Sequence, residues 1–446
     1  MADRLRINGG KHRPKPAVTT LVNHNRPLLL EERRYHAGAL RISPTSRAVC
    51  CGLAITVLQL FFAIVLLAPE GSLESRYQSL VQHDSYWFAN IVNRGYATIV
   101  PPIGHKMMEV SNTAFFPAYP VFAAALHYGA NISTGTALLV VAQTAAWGFW
   151  SYLFLLAERW NVSPPAQLAG ALLIVAHPAA FFLVAAYSES LFLMALLGFL
   201  YWSSGETRRA RVLAALHGMV MSATRIVGLP CALAPFVQRL WASGAGGVRD
   251  IRSWKKDYGA AVLLALVAML GGISFFIYCQ LRWGHWDIYM LTQQAGWGIQ
   301  PDYLAVFKPS NYRWAIPKLD DPTQASQMAM TLGAVAFVAL IACEFLPAAR
   351  RNGGRSVRVG LYFAAFILYF ISVSGVACVG MESMLRYQFC EHVVLVLALL
   401  HFLADVPLRS RLARAGAVFA TVVAGAGGLA LQSWYVWNFT RGNWVA

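Results

Sequence analysis

Charged side chains are scarce in this chain. They make up 13% of its 446 residues, and the 20 acids are fewer still than the 36 Lys and Arg. With 57% of residues hydrophobic and a mean hydropathy of +0.50, water is not the solvent for most side chains, which excludes an ordinary soluble domain and a disordered one. The apolar runs lack period-two alternation, so a membrane β-barrel is excluded as well. The seven cysteines include no CxxC spacing and sit scattered through apolar runs. That pattern excludes a disulfide framework and reads as buried small hydrophobes. There is no GxxxxGK[ST] loop, no GxGxxG after a strand and no HExxH, so nucleotide donors and phosphate-loop energy coupling are disfavoured. No internal repeat is visible, which counts against a carrier built from repeated halves.

What the chain does have is long, continuously apolar runs, at 48–68, 136–157, 166–184, 187–203, 211–224, 226–241, 258–282, 326–348, 359–376, 382–403 and 414–436. A helix needs about 20 such residues to cross a hydrocarbon core roughly 30 Å thick. The expectation is an all-α polytopic membrane protein with a bundle of 11–12 transmembrane helices. A further run, 114–130, carries Pro117 and Pro120 and is either re-entrant or a twelfth crossing. The net charge of +16 does not point to nucleic acid, because the basic residues sit in loops instead of lining one face. They cluster from Arg4 to Arg47, at Arg208-Arg209-Arg211, from Arg249 to Lys256, from Arg350 to Arg358 and from Arg409 to Arg414. The positive-inside rule puts all five clusters on the cytoplasmic side. Residues 1–47 then form a flexible basic cytoplasmic tail, 48–436 the transmembrane domain and 437–446 an outer tail. Two long outer loops result, 69–113 and 283–325. The second is rich in aromatics and carries Lys308, Arg313 and Lys318.

The first outer loop contains Gln82-His83-Asp84-Ser85-Tyr86-Trp87-Phe88, and an acid beside a bilayer is a site hypothesis by default. Trp87, Ile91 and Tyr96 recur at roughly one helical turn, which predicts a short amphipathic surface helix with Asp84 at its N-cap. Two compatible roles follow for Asp84: capping free backbone N–H groups, or acting as general base at the membrane surface. Arginines inside apolar runs are expensive unless paired or facing a polar cavity. Arg225 has no acid nearby in sequence, while Arg386 has Glu382 one turn earlier. Both suit phosphate through a bidentate guanidinium, with Arg94 a third possibility and Lys308 or Arg313 contributors from the second loop. Glu189, next to Tyr187 in Tyr187-Ser188-Glu189-Ser190, reads as a solvated turn residue or as a partner of Arg225. His83, Trp87, Tyr96, Tyr187 and Glu189 are the candidate sugar or acceptor contacts, and Glu109 and Asp287 are reserve acids. Asp320-Asp321 reads as a solvated pair, so no metal site is assigned.

Taken in order, several segments resemble one family. Asp84-Ser85 with Trp87, Ile91 and Gly95-Tyr96 is followed by Phe115-Phe116-Pro117-Ala118-Tyr119-Pro120 and by His177-Pro178-Ala179-Ala180-Phe181-Phe182. Ala186-Tyr187-Ser188-Glu189-Ser190-Leu191-Phe192, Ala223-Thr224-Arg225-Ile226-Val227-Gly228 and Ser383-Met384-Leu385-Arg386-Tyr387 complete the set. Together they resemble the GPI mannosyltransferase 2 (PIG-V-like) family of GT-C glycosyltransferases across residues 84 to 387. The chain departs from that pattern at His83, where the family commonly has Trp before the acid.

The resemblance implies a GT-C fold whose first outer loop carries the catalytic acid. It implies transfer of mannose from a polyprenyl- or dolichyl-phosphate donor to a glycan or glycolipid acceptor, with Asp84 as base, no cofactor and no divalent metal. The lipid bilayer is then a partner, and no protein partner is identified. The setting is a bacterial plasma membrane or an endoplasmic reticulum membrane, with the site on the non-cytoplasmic side. A transporter and a non-catalytic binder of a lipid-linked sugar are the competing readings.

Overall fold

A computed structural model of the chain describes residues 43–100, 111–243, 251–318, 321–350, 354–381 and 383–445, with side chains from 251 to 257 and at 350 left aside. Helix dominates, and no strand occurs among the described residues. The protein is an all-α polytopic membrane protein. α1 (Pro44–Phe61) takes in the last four residues of the expected tail, because Ser43 caps it and Pro44 has no N–H to lose at the first position. One turn of wider winding, Phe62–Leu67, extends it.

α2 (Leu73–Gln78) and α3 (Asp84–Arg94) lie in the first long loop, and α4 (Ala118–Ala130) follows it. Next come α5 (Thr134–Arg159), α6 (Pro164–Val175), α7 (Glu189–Ser203), α8 (Arg208–Thr224), α9 (Gly228–Cys231) and α10 (Ala234–Ser243). The chain continues through α11 (Ile251–Trp283), α12 (Ile288–Trp297), α13 (Pro322–Cys343), α14 (Pro347–Arg350), α15 (Arg355–Val376), α16 (Met384–Asp405) and α17 (Arg411–Phe439).

Seven of these are each long and apolar enough to cross a membrane: Pro44–Leu67, α5, Tyr258–Trp283 of α11, α13, Arg355–Val379, α16 and α17. The other four expected crossings fall on α6, α7, α8 and the pair α9–α10, which are short or interrupted. Proline explains two of the interruptions, since Pro178 cannot continue α6 and Pro230 and Pro235 divide the 226–241 run. α4 has 13 residues, about 20 Å of helix, so the 114–130 run does not cross by itself.

Irregular backbone at membrane depth is tolerated only where it is buried in protein or lines a cavity. The 176–188 connection between α6 and α7 meets that condition. Its residues from Ala179 to Tyr187 are buried, and polar side chains from other helices satisfy its carbonyls. Gln59 donates to Ala180, Gln143 to Val184, Ser85 to Ala186, and Gln432 to both Val175 and His177. α3 and α17 are thereby tied to the same break.

At the far end of α16 a second polar group is enclosed. Arg358 of α15, fully buried, donates to both oxygens of Glu344 and to Asp405, and its Nη1 also meets His401 Nδ1 at 3.2 Å. The Tyr362 hydroxyl adds a 2.9 Å bond to Glu344. α13, α15 and α16 are pinned together there.

The cysteines divide. Cys231, Cys279 and Cys390 are buried as expected, Cys343 is half-buried, and Cys50, Cys51 and Cys378 are exposed. On α1 exposure means a face toward lipid, where a small apolar thiol has no reason to be covered.

Candidate active site

Asp84 is the first helical residue of α3, and the residue before it, not Asp84, occupies the cap position. This corrects the expected N-cap. His83 holds φ at 51°, a left-handed conformation that turns the chain sharply into the helix. Its side chain makes no capping bond. Instead its Nε2 lies 3.1 Å from the Asn443 carbonyl and its ring packs on Trp444 and Phe439. The expected outer tail 437–446 is therefore partly helix up to Phe439, and its described residues pack beside the start of α3.

Freed from capping, the Asp84 carboxylate reaches across the fold, where Arg386 Nη1 in the first turn of α16 donates to its Oδ2 at 2.6 Å. Arg386 Nε lies 3.6 Å from Glu189 Oε1, and Arg225 Nη1 donates to that same oxygen at 3.1 Å. Acid and base thus alternate along one chain of contacts: Asp84, Arg386, Glu189, Arg225. Glu189 is 1% exposed, so the solvated-turn reading of it is overturned. A buried carboxylate needs cations, and two guanidiniums supply them. Glu382, the sequence neighbour expected to pair with Arg386, lies outside the described residues.

Aromatic rings complete the frame. Tyr387 stands 5.0 Å from the Arg386 guanidinium carbon and 5.2 Å from that of Arg225, and Tyr187 lies 5.0 Å from Arg386. Stacking of this kind holds a planar guanidinium in place while leaving its edge free. The Tyr187 hydroxyl also accepts the Asp84 backbone N–H at 3.3 Å, and Ser85 donates to the Ala186 carbonyl at 3.0 Å. These two bonds fix the Asp84 backbone to the 176–188 break.

All four charged residues line one cavity of about 430 Å³. Much of the rest of its wall is apolar, including Phe116, Ile226, Leu229, Tyr289, Leu368 and Ile371. A charged end on an apolar cleft is the shape a head group with a hydrocarbon tail requires. Within the cluster two complementary atoms, Glu189 Oε2 and Arg386 Nε, have no hydrogen-bond partner among the described residues.

The remaining expected residues do not meet here. Trp87 stacks on Phe115 and meets Trp297 edge-on, at ring distances of 6.0 and 5.7 Å. Tyr96 falls beyond the end of α3; its hydroxyl donates to the Phe115 carbonyl and its ring packs on Phe275. The helix buries Phe88, Ile91 and Val92 instead of a Trp87–Tyr96 stripe. Arg94 is exposed at its C-terminal end. Lys308 pairs with Asp302, and Arg313 contacts the Ile316 carbonyl. Asp287 sits 3.7 Å from His285, and Asp321 caps α13 by accepting from the Gln324 N–H. Glu109 and Asp320 lie outside the described residues. No three acid, His or Cys side chains converge as a metal-ligand set among the described residues. Sequence reading missed Tyr387 as a site residue, although it adjoins Arg386, and also Cys390, whose sulfur is 3.9 Å from Arg225. Cys390 follows from helical spacing once Arg386 is placed, since residue 390 lies one turn on. No family model matches the chain, and no curated protein matches it.

Proposed function

We propose that this protein is a membrane glycosyltransferase of the GT-C type that moves a mannosyl residue from a polyprenyl-phosphate donor to a glycan or glycolipid acceptor, on the non-cytoplasmic side of its membrane. One observation carries the reading. Asp84, Tyr187, Glu189, Arg225 and Arg386, drawn from four separate segments that suggested the family, line a single cavity with a charged end and a largely apolar wall.

The chemistry needs a base for the acceptor hydroxyl and positive charge for the departing phosphate. Asp84 takes the hydroxyl proton as the acceptor oxygen bonds to the sugar C1 from the face opposite the phosphate. The C1–O bond to phosphate breaks, and its electron pair leaves with the polyprenyl phosphate. Arg225 and Arg386 receive that charge through short, charge-assisted hydrogen bonds. A single displacement of this kind inverts the sugar carbon and uses one base, unlike the paired carboxylates of glycosidases.

The test is mannosyl transfer by purified protein with polyprenyl-phosphate mannose and a panel of lipid-linked acceptors. Asp84→Asn should abolish transfer while the protein stays folded. Donor binding with no transfer to any acceptor would favour a non-catalytic binder. A carrier of lipid-linked sugar is the second reading, favoured by Glu391 of α16, whose buried carboxylate oxygens make no hydrogen bond among the described residues and have His392 Nε2 3.4 Å from Oε2 as their charged neighbour. Glu391→Gln should leave transfer unchanged, whereas a carrier would lose movement of labelled lipid across proteoliposomes.

A further inference from the structure

The residue assigned as base and a residue assigned to the phosphate are bonded to each other. Asp84 Oδ2 and Arg386 Nη1 are 2.6 Å apart, so in this arrangement the carboxylate that must accept a proton is neutralised by the cation that must meet the donor. Arg386 has somewhere else to go. Its Nε stands 3.6 Å from Glu189 Oε1 without making a hydrogen bond, and the other oxygen of that carboxylate, Oε2, is buried with no hydrogen-bond partner among the described residues. A buried donor and a buried acceptor left unmade in one cluster cost stability in this state, and the cost is relieved if the guanidinium turns so that they close.

We infer that Glu189 is a positioning residue that catches Arg386 when the phosphate of a lipid-linked donor enters, so that donor binding unmasks Asp84. The inference rests on the reading given under Proposed function. In the resting state Arg386 divides its guanidinium between Asp84 and an incomplete contact with Glu189. A phosphate at the charged end of the cavity competes with Asp84 for the Nη atoms. As the guanidinium turns toward the phosphate, Nε closes on Glu189, which already holds Arg225 at 3.1 Å. Two guanidiniums anchored on one carboxylate then face one phosphate, and the Asp84 carboxylate is free for the acceptor hydroxyl. Tyr187 and Tyr387, each 5.0 Å from the Arg386 guanidinium, allow an in-plane shift without loss of stacking. The base becomes available only in the presence of a donor, which orders the two substrates.

The exchange is read on the Asp84 carboxylate itself, without catalysis. Purified full-length protein is labelled with a water-soluble carbodiimide and an amine, and modification of Asp84 is followed by peptide mass spectrometry with and without farnesyl phosphate. Binding of farnesyl phosphate is measured separately by tryptophan fluorescence. The expected result is slow labelling alone and severalfold faster labelling with farnesyl phosphate bound. Arg386→Gln should label fast in both conditions. In Glu189→Gln, farnesyl phosphate should no longer accelerate labelling, because the catching carboxylate is gone. Bound farnesyl phosphate that leaves the wild-type labelling rate unchanged or lower overturns the exchange while leaving the phosphate site standing. Failure of farnesyl phosphate to bind removes the phosphate site proposed above, and the exchange with it.

Discussion

α16 carries an arginine-centred ion cluster at each end, and the two are built from similar parts to opposite effect. At its start, Arg386 meets Asp84 and Glu189. At its last residue, Asp405 joins Glu344 and His401 around Arg358, 19 residues or roughly 28 Å along the helix from Arg386. The Arg358 guanidinium itself is saturated: it contacts both oxygens of Glu344 as well as Asp405 and His401, Tyr362 adds a further bond to Glu344, and among the described residues only the peripheral Arg355 Nε stays unbonded, 3.7 Å from Glu344 Oε2. The Arg386 cluster leaves a donor and an acceptor unmade and opens on a cavity. Charge in a membrane protein is therefore not diagnostic by itself. Saturation marks a brace, and incomplete pairing on a cavity marks a site.

This contrast can be broken in graded ways. Glu344→Gln should give the largest effect on stability, about 3–5 kcal/mol, because it leaves Arg358 buried with half its partners. Thermal unfolding in detergent reads it, and a loss near zero would mean the brace is ornamental. Arg225→Ala should raise the Michaelis constant for the donor on the order of 10- to 100-fold while changing that of the acceptor little. Initial-rate kinetics with each substrate varied in turn would show it; an equal rise in both constants would remove Arg225 from the phosphate. Ser85→Ala deletes the bond to the Ala186 carbonyl and should cost about 1 kcal/mol of stability, with a drop in turnover as Asp84 loosens.

The smallest effect belongs to the second long loop. Lys308, hydrogen-bonded to Asp302, holds that carboxyl below its ordinary range. A depressed carboxyl contributes stability above its unfolded pKa of about 4 and loses it as pH falls through the folded value. Melting temperatures of wild type and Lys308→Ala should differ slightly at neutral pH and converge in acid. A difference that grows in acid would contradict the pairing.

Much of the Arg386 cluster is legible in the sequence for a physical reason. Arg225, Arg386 and Glu189 are charges at the edges of apolar runs, and such charges must find one another or water. Their convergence on Asp84 is not legible, because it depends on the break after α6, whose carbonyls are satisfied by glutamines on other helices. The helical class is equally readable from apolar run length. The lengths of α6 to α10 are not, since hydropathy sees the composition across Pro178, Pro230 and Pro235 and not the ends they impose. Arg358 was visible only as one of a loop cluster of basic residues. Its burial needs Glu344 and Asp405, which lie 14 and 47 residues away in sequence.

The direct test places the same change at both ends of α16. Arg386→Gln and Arg358→Gln are compared for melting temperature and for transfer from polyprenyl-phosphate mannose. The expected result is a crossover, with Arg386→Gln losing transfer while keeping most of its stability and Arg358→Gln losing stability first. Equal losses of stability in the two variants, with transfer per folded molecule retained in Arg386→Gln, would contradict it.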